Sequence, residues 1–327
     1  MAVKGYLLSN QTSKKSEKKI GTNLFLIGII VALSVSLFFL EKKFNIVGKV
    51  FYMVQGKNYT PFEEAIKKPF STEDNVKPIE TELKNMQSVF PADGLLYFYR
   101  GILIQKKVIY EILNKENFLI DFAFYHHIDK PESISIPLKN DWFKSIIFLR
   151  KSIKLGIPEP KKNIALKHLA YLYFFGGPAY TGELDRLKEL IDTPLEPLFL
   201  NLMEAFQGEQ LSDWSLIEAS LPMNVYHLWK AINGIKTGNR PMAYAELNTM
   251  AKQENVEIKN RSLYLFASIA ADSGNKRLQL GYYSDMDWES FLVKNPWFYP
   301  ELKYLLLFYG RRNEIKLLEK TANSLGY

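Results

Sequence analysis

The residues of this 327-residue chain that could do chemistry are few, and their spacing argues against most of it. There are four histidines and no cysteine. That removes thiolate metal sites, disulfides and sulfur nucleophiles. His126 and His127 are adjacent, so on a helix they point to different faces and make a poor metal pair; His168 and His227 stand far off. No His-Glu-x-x-His spacing occurs to improve on them. Asp285-Met286-Asp287 offers two carboxylates that could hold a metal–nucleotide. It follows a helical pattern with no strand to carry a nucleotide, so it reads as a solvated turn. Gly234-Ile235-Lys236-Thr237-Gly238 has the letters of a phosphate-binding loop in the wrong order. No G-x-S-x-G elbow is present. No catalytic, cofactor-binding or metal-binding residue is expected, and function would then reside in a surface.

The elements that would carry such a surface begin with one apolar stretch. Ile20 to Leu40 contains no charged residue. As a continuous helix it would reach ~31 Å, about the thickness of a bilayer core. It ends in Phe38-Phe39-Leu40-Glu41-Lys42-Lys43, bulk followed by charge, with no small-residue cleavage site. The expectation is a retained transmembrane helix at 20–40. Lys14, Lys15, Lys18 and Lys19 sit tight against its start, which predicts a cytoplasmic N-terminus in a bacterial inner membrane and a periplasmic body.

Charge separates the two parts of the chain. The formal net charge is +7, and residues 1–60 account for all of it, with nine Lys against two acids. The remainder holds 33 basic and 33 acidic side chains. A nucleic-acid binder needs a basic surface in its body, and this balance offers none.

Beyond residue 91 the apolar spacing is three to four, and period-two runs are confined to Ser133-Ile134-Ser135-Ile136. A turn tetrapeptide repeats: Thr237-Gly238-Asn239-Arg240 returns as Ser273-Gly274-Asn275-Lys276, and Gly310-Arg311-Arg312-Asn313 follows at the same interval of 36. Gly208 and Gly177 precede at intervals of 30 and 31. Each glycine closes an apolar-periodic run: 164–175, 195–206, 225–236, 261–273 and 300–309. The reading is a repeated αα-hairpin in which glycine supplies a left-handed helix end. Residues 114–140 are left as a long loop rich in Phe, Tyr and His, a candidate surface in itself.

These residues resemble the tetratricopeptide repeat (TPR) family. Asp141–Pro158 is similar to a second TPR helix, with Ser145 and Ser152 at the small positions and Pro158 at the exit. Tyr97, Gly101 and Ile104 match a first helix; Ala170 and Tyr173, Ala231 with Ala243, and Leu263, Phe266 and Ala267 with Tyr283 match later units. The resemblance implies an all-α, TPR-like αα-hairpin solenoid over 91–327, preceded by a basic tail (1–19), the span (20–40) and a juxtamembrane helix and linker (41–90). It also implies that the inner face of the first helices holds a peptide or another subunit, through Phe98, Ile102, Tyr171, Phe174, Arg261 and Tyr264. The expected function is a membrane-anchored scaffold that binds protein partners in an envelope complex, such as a flagellar-motor collar or secretion machinery, with no cofactor, nucleic acid or small-molecule substrate. The alternative is an envelope enzyme acting on peptidoglycan or another envelope substrate. Glu289-Ser290 is similar to the Glu-Ser of lytic transglycosylases, but that family's other motifs are absent.

Overall fold

The computed structural model describes residues 28–39, 50, 52, 54, 56–67, 77–177 and 180–326. Among the described residues every regular element is a helix and no strand occurs. In Ser133–Ile136, the one period-two segment, Ser133 ends a short 3-10 turn that starts at Pro131, and residues 134–136 stay irregular. The all-α expectation therefore holds.

The expected transmembrane helix does not. Of the stretch 20–40 the described part is 28–39, which is helical. Twelve residues rise only ~18 Å, against a hydrocarbon core of ~30 Å. No described helix is long and apolar enough to cross a membrane. The tail 1–19, and residues 41–49 and 68–76 of the juxtamembrane stretch, lie outside the described residues. The expected topology and location rested on that span and have no other support.

After the helical stretch 28–39, two helices lead into the array: α1 (Thr60–Lys67) and α2 (Lys77–Val89). Then come α3 (Gly94–Asn114), α4 (Glu116–His127), α5 (Lys139–Lys154), α6 (Glu159–Phe175), α7 (Thr181–Leu190), α8 (Pro197–Gln207) and α9 (Ser215–Ser220). The series ends with α10 (Met223–Lys236), α11 (Arg240–Ala251), α12 (Val256–Asp272), α13 (Lys276–Ser284), α14 (Trp288–Lys294), α15 (Phe298–Phe308) and α16 (Arg312–Ser324). The helices pack in pairs: α3 with α5, α6 with α7, α8 with α9, α10 with α11, α12 with α13, and α15 with α16. This pairing is compatible with a helical-repeat arrangement.

The recurring glycines end the first helix of each later pair. Gly177, Gly208, Gly238, Gly274 and Gly310 all have positive φ, between 67° and 85°. At Gly274 the chain reverses with Asn275 N–H donating to Ala270 O (2.9 Å) and Gly274 N–H to Ala271 O (2.8 Å), which satisfies carbonyls left open at the helix end. Asn275 then starts the next helix, its side chain accepting from Leu278 N–H at 3.0 Å. Asn239 does the same for Met242. The repeated tetrapeptide is thus one stop signal and one start signal in four residues.

Close approach explains the small residues. Ser145 of α5 is fully buried and donates to Gly101 O of α3 at 2.8 Å. Ala170, Ala231, Ala243 and Ala267 are fully buried. Gly234 of α10 touches α11 so closely that a Cβ there would stand 2.9 Å from the Ala243 amide nitrogen and 3.0 Å from the Asn239 carbonyl oxygen. Backbone atoms cannot yield as a side chain could. Gly281 of α13 has nothing within 4 Å of such a Cβ. Gly234→Ala should therefore destabilise by ~1–3 kcal/mol, while Gly281→Ala should stabilise by ~0.5–1 kcal/mol by restricting the unfolded chain and favouring the helix. Urea melts of the two variants check this; equal effects would contradict the close packing of α10 on α11.

Candidate functional site

The six residues expected to face a partner are all interior. Phe98, Ile102, Tyr171, Phe174, Arg261 and Tyr264 are between 0% and 9% exposed. Tyr171 stacks on Phe199 with ring centroids 3.9 Å apart, and its hydroxyl accepts from Glu196 N–H at 3.1 Å. Phe98 and Ile102 lie in the core on α3. Phe174, Arg261 and Tyr264 are covered by α4, which belongs to the stretch 114–140 expected to be a loop. As placed, none of the six offers a surface to a partner: α4 covers three of them, and the other three pack within the array.

This helix lies against the first helix of one pair after another. Phe122 reaches Phe174 (5.4 Å between centroids) and Phe175 (5.5 Å) on α6, Phe206 (5.2 Å) on α8 and Trp229 (6.0 Å) on α10. Phe124 reaches Tyr264 of α12 at 5.7 Å. Trp229 donates its indole N–H to Leu119 O at 3.3 Å, and Asn224 Nδ2 donates to Glu116 Oε1 at 2.6 Å. Phe118, Leu119, Ile120, Phe122, Phe124 and Tyr125 are all buried. At ~1.5–3 kcal/mol for each large apolar side chain, their gross burial is on the order of 10 kcal/mol. The side chains of α4 thus fill this face of the array.

One charged network pins α4 at its middle. Arg261 is 2% exposed and donates to Asp121 of α4 and to Glu257 Oε1 one turn back on α12, the latter at 2.5 Å. Lys294 Nζ also reaches Glu257 Oε1, at 2.8 Å. The guanidinium lies 5.6 Å from the centre of the Phe124 ring, within cation–π range. Burial pushes the Asp121 carboxyl above its ordinary value, with Arg261 pulling against it. Burial also pushes on Glu257, but Arg261 and Lys294 together outweigh it and hold that carboxyl low. A buried Arg was not legible as such, since charge is normally a sign of the surface.

The residues weighed for chemistry have structural duties. Asp287 caps α14, its side chain accepting from Ser290 N–H at 3.1 Å, and its own N–H donates to Asn260 Oδ1 at 2.9 Å. The Gly234–Gly238 stretch ends α10. Among the described residues, no group of three or more His, Asp or Glu could hold a metal. A cluster that the sequence did not reveal joins α10 and α11: His227 Nδ1 lies 2.6 Å from Glu246 Oε2, and Lys230 Nζ lies 2.9 Å from Glu246 Oε1 and 2.8 Å from the Tyr226 hydroxyl. Its role is to tie two paired helices together.

What stays open is a ridge on the last pair. Tyr304, Leu307 and Phe308 share one face of α15 and are 58%, 58% and 59% exposed. Lys276 of α13 holds its ammonium 5.7 Å from the Tyr304 ring centre and 4.8 Å from that of Phe308. No family model, curated protein or solved structure matches this chain.

The histidines of α4 make the covering helix sensitive to acid. Burial, with Lys236 nearby, pulls both His126 and His127 down to about 4. Burial pulls His168 of α6 to about 3. Each is neutral in the fold at pH 5, whereas an unfolded histidine protonates below ~6.5. The unfolded chain therefore binds more protons below that value, and stability falls as the pH drops from ~6.5 towards 4. Each imidazole contributes a slope of up to ~1.4 kcal/mol per pH unit. Urea midpoints at pH 7, 6 and 5 should decline, and His126→Gln with His127→Gln should flatten the decline; a constant midpoint in the parent chain would contradict it.

Proposed function

We propose that this chain is a TPR-like helical-repeat adaptor that binds a protein partner, with no reaction of its own. Three features support the TPR-like reading. Left-handed glycine turns recur 30 to 36 residues apart, small residues stand where paired helices touch, and asparagine starts the second helix of two pairs. In repeat arrays of this kind each unit rests on its neighbours.

The observation that carries the reading is the ridge of Tyr304, Leu307 and Phe308. Single exposed apolar residues are ordinary, but three large ones adjoining on one helix face of the final pair form a contiguous patch of the kind that marks an interaction surface. Aromatic anchors beside a cation are typical of the residues that dominate interface energetics. The inner face, filled by α4, plays no part in capture.

A photo-cross-linking residue replacing Tyr304 in intact cells tests this. A discrete adduct is expected, identified by mass spectrometry, and it should disappear when Leu307→Asp is added. The same cross-linker at Thr249, an exposed polar position of α11, is the control. Identical adducts from both positions, or no effect of Leu307→Asp, would reject the ridge as the docking surface.

A further inference from the structure

A second open feature lies far from the ridge in sequence. Where the chain leaves α7 and enters α8, a groove of about 430 Å³ opens between the two helices and their connection. That volume is within the range of natural ligand sites. Leu195, Leu200 and Met203 provide its apolar wall. Part of the reason it stays open is length: α9, the partner of α8, has six residues against eleven in α8, so it covers only part of its neighbour.

Three carboxylates edge the groove, those of Asp192, Glu204 and Glu209, against the single ammonium of Lys188. Lys162 of α6 acts electrostatically on Asp192, while Glu204 and Glu209 form no salt bridge among the described residues. The edge is nevertheless fixed in place. Asn163 accepts from Asp192 N–H at 3.1 Å and donates to Thr193 Oγ1 at 2.7 Å. On the other side, the buried Asn233 donates to Glu209 O at 2.8 Å, directly after the left-handed turn at Gly208. Polar side chains from two other first helices, α6 and α10, thus hold the backbone that carries Asp192 and Glu209.

We propose that this groove binds a polypeptide segment in which an aliphatic or aromatic side chain is flanked by lysine or arginine. The apolar side chain would seat against Leu200 and Met203, and the cations would meet Glu204, Glu209 and Asp192. The polypeptide nature of the ligand rests on the adaptor reading; the acidic, apolar character of the groove does not. A second copy of the ridge would not satisfy this site in full, since the ridge brings aromatics with the one adjacent ammonium of Lys276 already seated over them.

The test is fluorescence anisotropy with the full chain and a labelled peptide, Gly-Lys-Leu-Lys-Phe-Lys-Gly, compared with the same peptide carrying Glu at each Lys. Saturable binding of the basic peptide is expected, and none of the acidic one. Glu204→Lys with Glu209→Lys should weaken binding roughly tenfold or more, with circular dichroism unchanged, since Glu209 is exposed and Glu204 only half-buried. Added salt should weaken it as well. Leu307→Asp on the ridge should leave it intact. No binding of the basic peptide, or equal binding by the charge-reversed variant, would overturn the groove. Failure of the peptide to bind while the Tyr304 cross-link survives rejects the groove alone; peptide binding without the cross-link rejects the ridge and leaves the groove standing.

Discussion

The structure depends on one constraint: the apolar inner face formed by the first helices of the pairs must be covered, and the chain covers it with α4. Helices that pack in pairs bury one stripe against their partner and leave another facing inwards. Phe174, Phe206, Trp229 and Tyr264, drawn from α6, α8, α10 and α12, all meet α4. The insertion between α3 and α5 interrupts one pair and ties the others together. Contacts between residues more than a hundred positions apart, such as Leu119 with Trp229 and Asp121 with Arg261, follow from it. An array that would otherwise hold together through nearest neighbours gains a member shared by most of its units.

That arrangement redistributes function. The face that a helical-repeat protein would offer to a ligand is spent on stability, and its charged residue, Arg261, is bound to carboxylates on α4 and α12. A buried ion pair contributes little net stability, because desolvation offsets the attraction, but removing one partner leaves a charge stranded. Arg261 is therefore a registration device that holds Asp121, and with it α4, in one position along the face. What the chain leaves open lies away from this face, on the Tyr304, Leu307 and Phe308 ridge and in the groove beside the shortest pair.

Much of the fold was legible in the sequence, for local reasons. Glycine in the left-handed region and asparagine at a helix start act within four residues, so the ends of α6, α8, α10, α12 and α15 fall within one residue of the glycine-marked runs. Helix α2 falls in the stretch expected to hold a linker, and its Pro78 sits in the first turn, where proline suits a helix. The covering helix was invisible for a different reason. Phe118-Leu119-Ile120 and Phe122–Tyr125 are buried on all sides, so the segment shows no polar face and no helical period. The inner-face residues were placed on helices that do line that face, but nothing local announces that another part of the same chain covers it. Hydropathy over 20–40 reported how apolar the stretch is; the described helix covers 28–39 and is too short to span a bilayer.

Native-state hydrogen exchange tests the central role of α4 most directly. If this helix fills the inner face, the amides of residues 119–127 exchange only through global unfolding, at rates matching the core of α3 around residues 99–109. If those amides instead exchange through a separate opening several kcal/mol below the global value while α3 stays protected, α4 is a removable cover and its central role is contradicted.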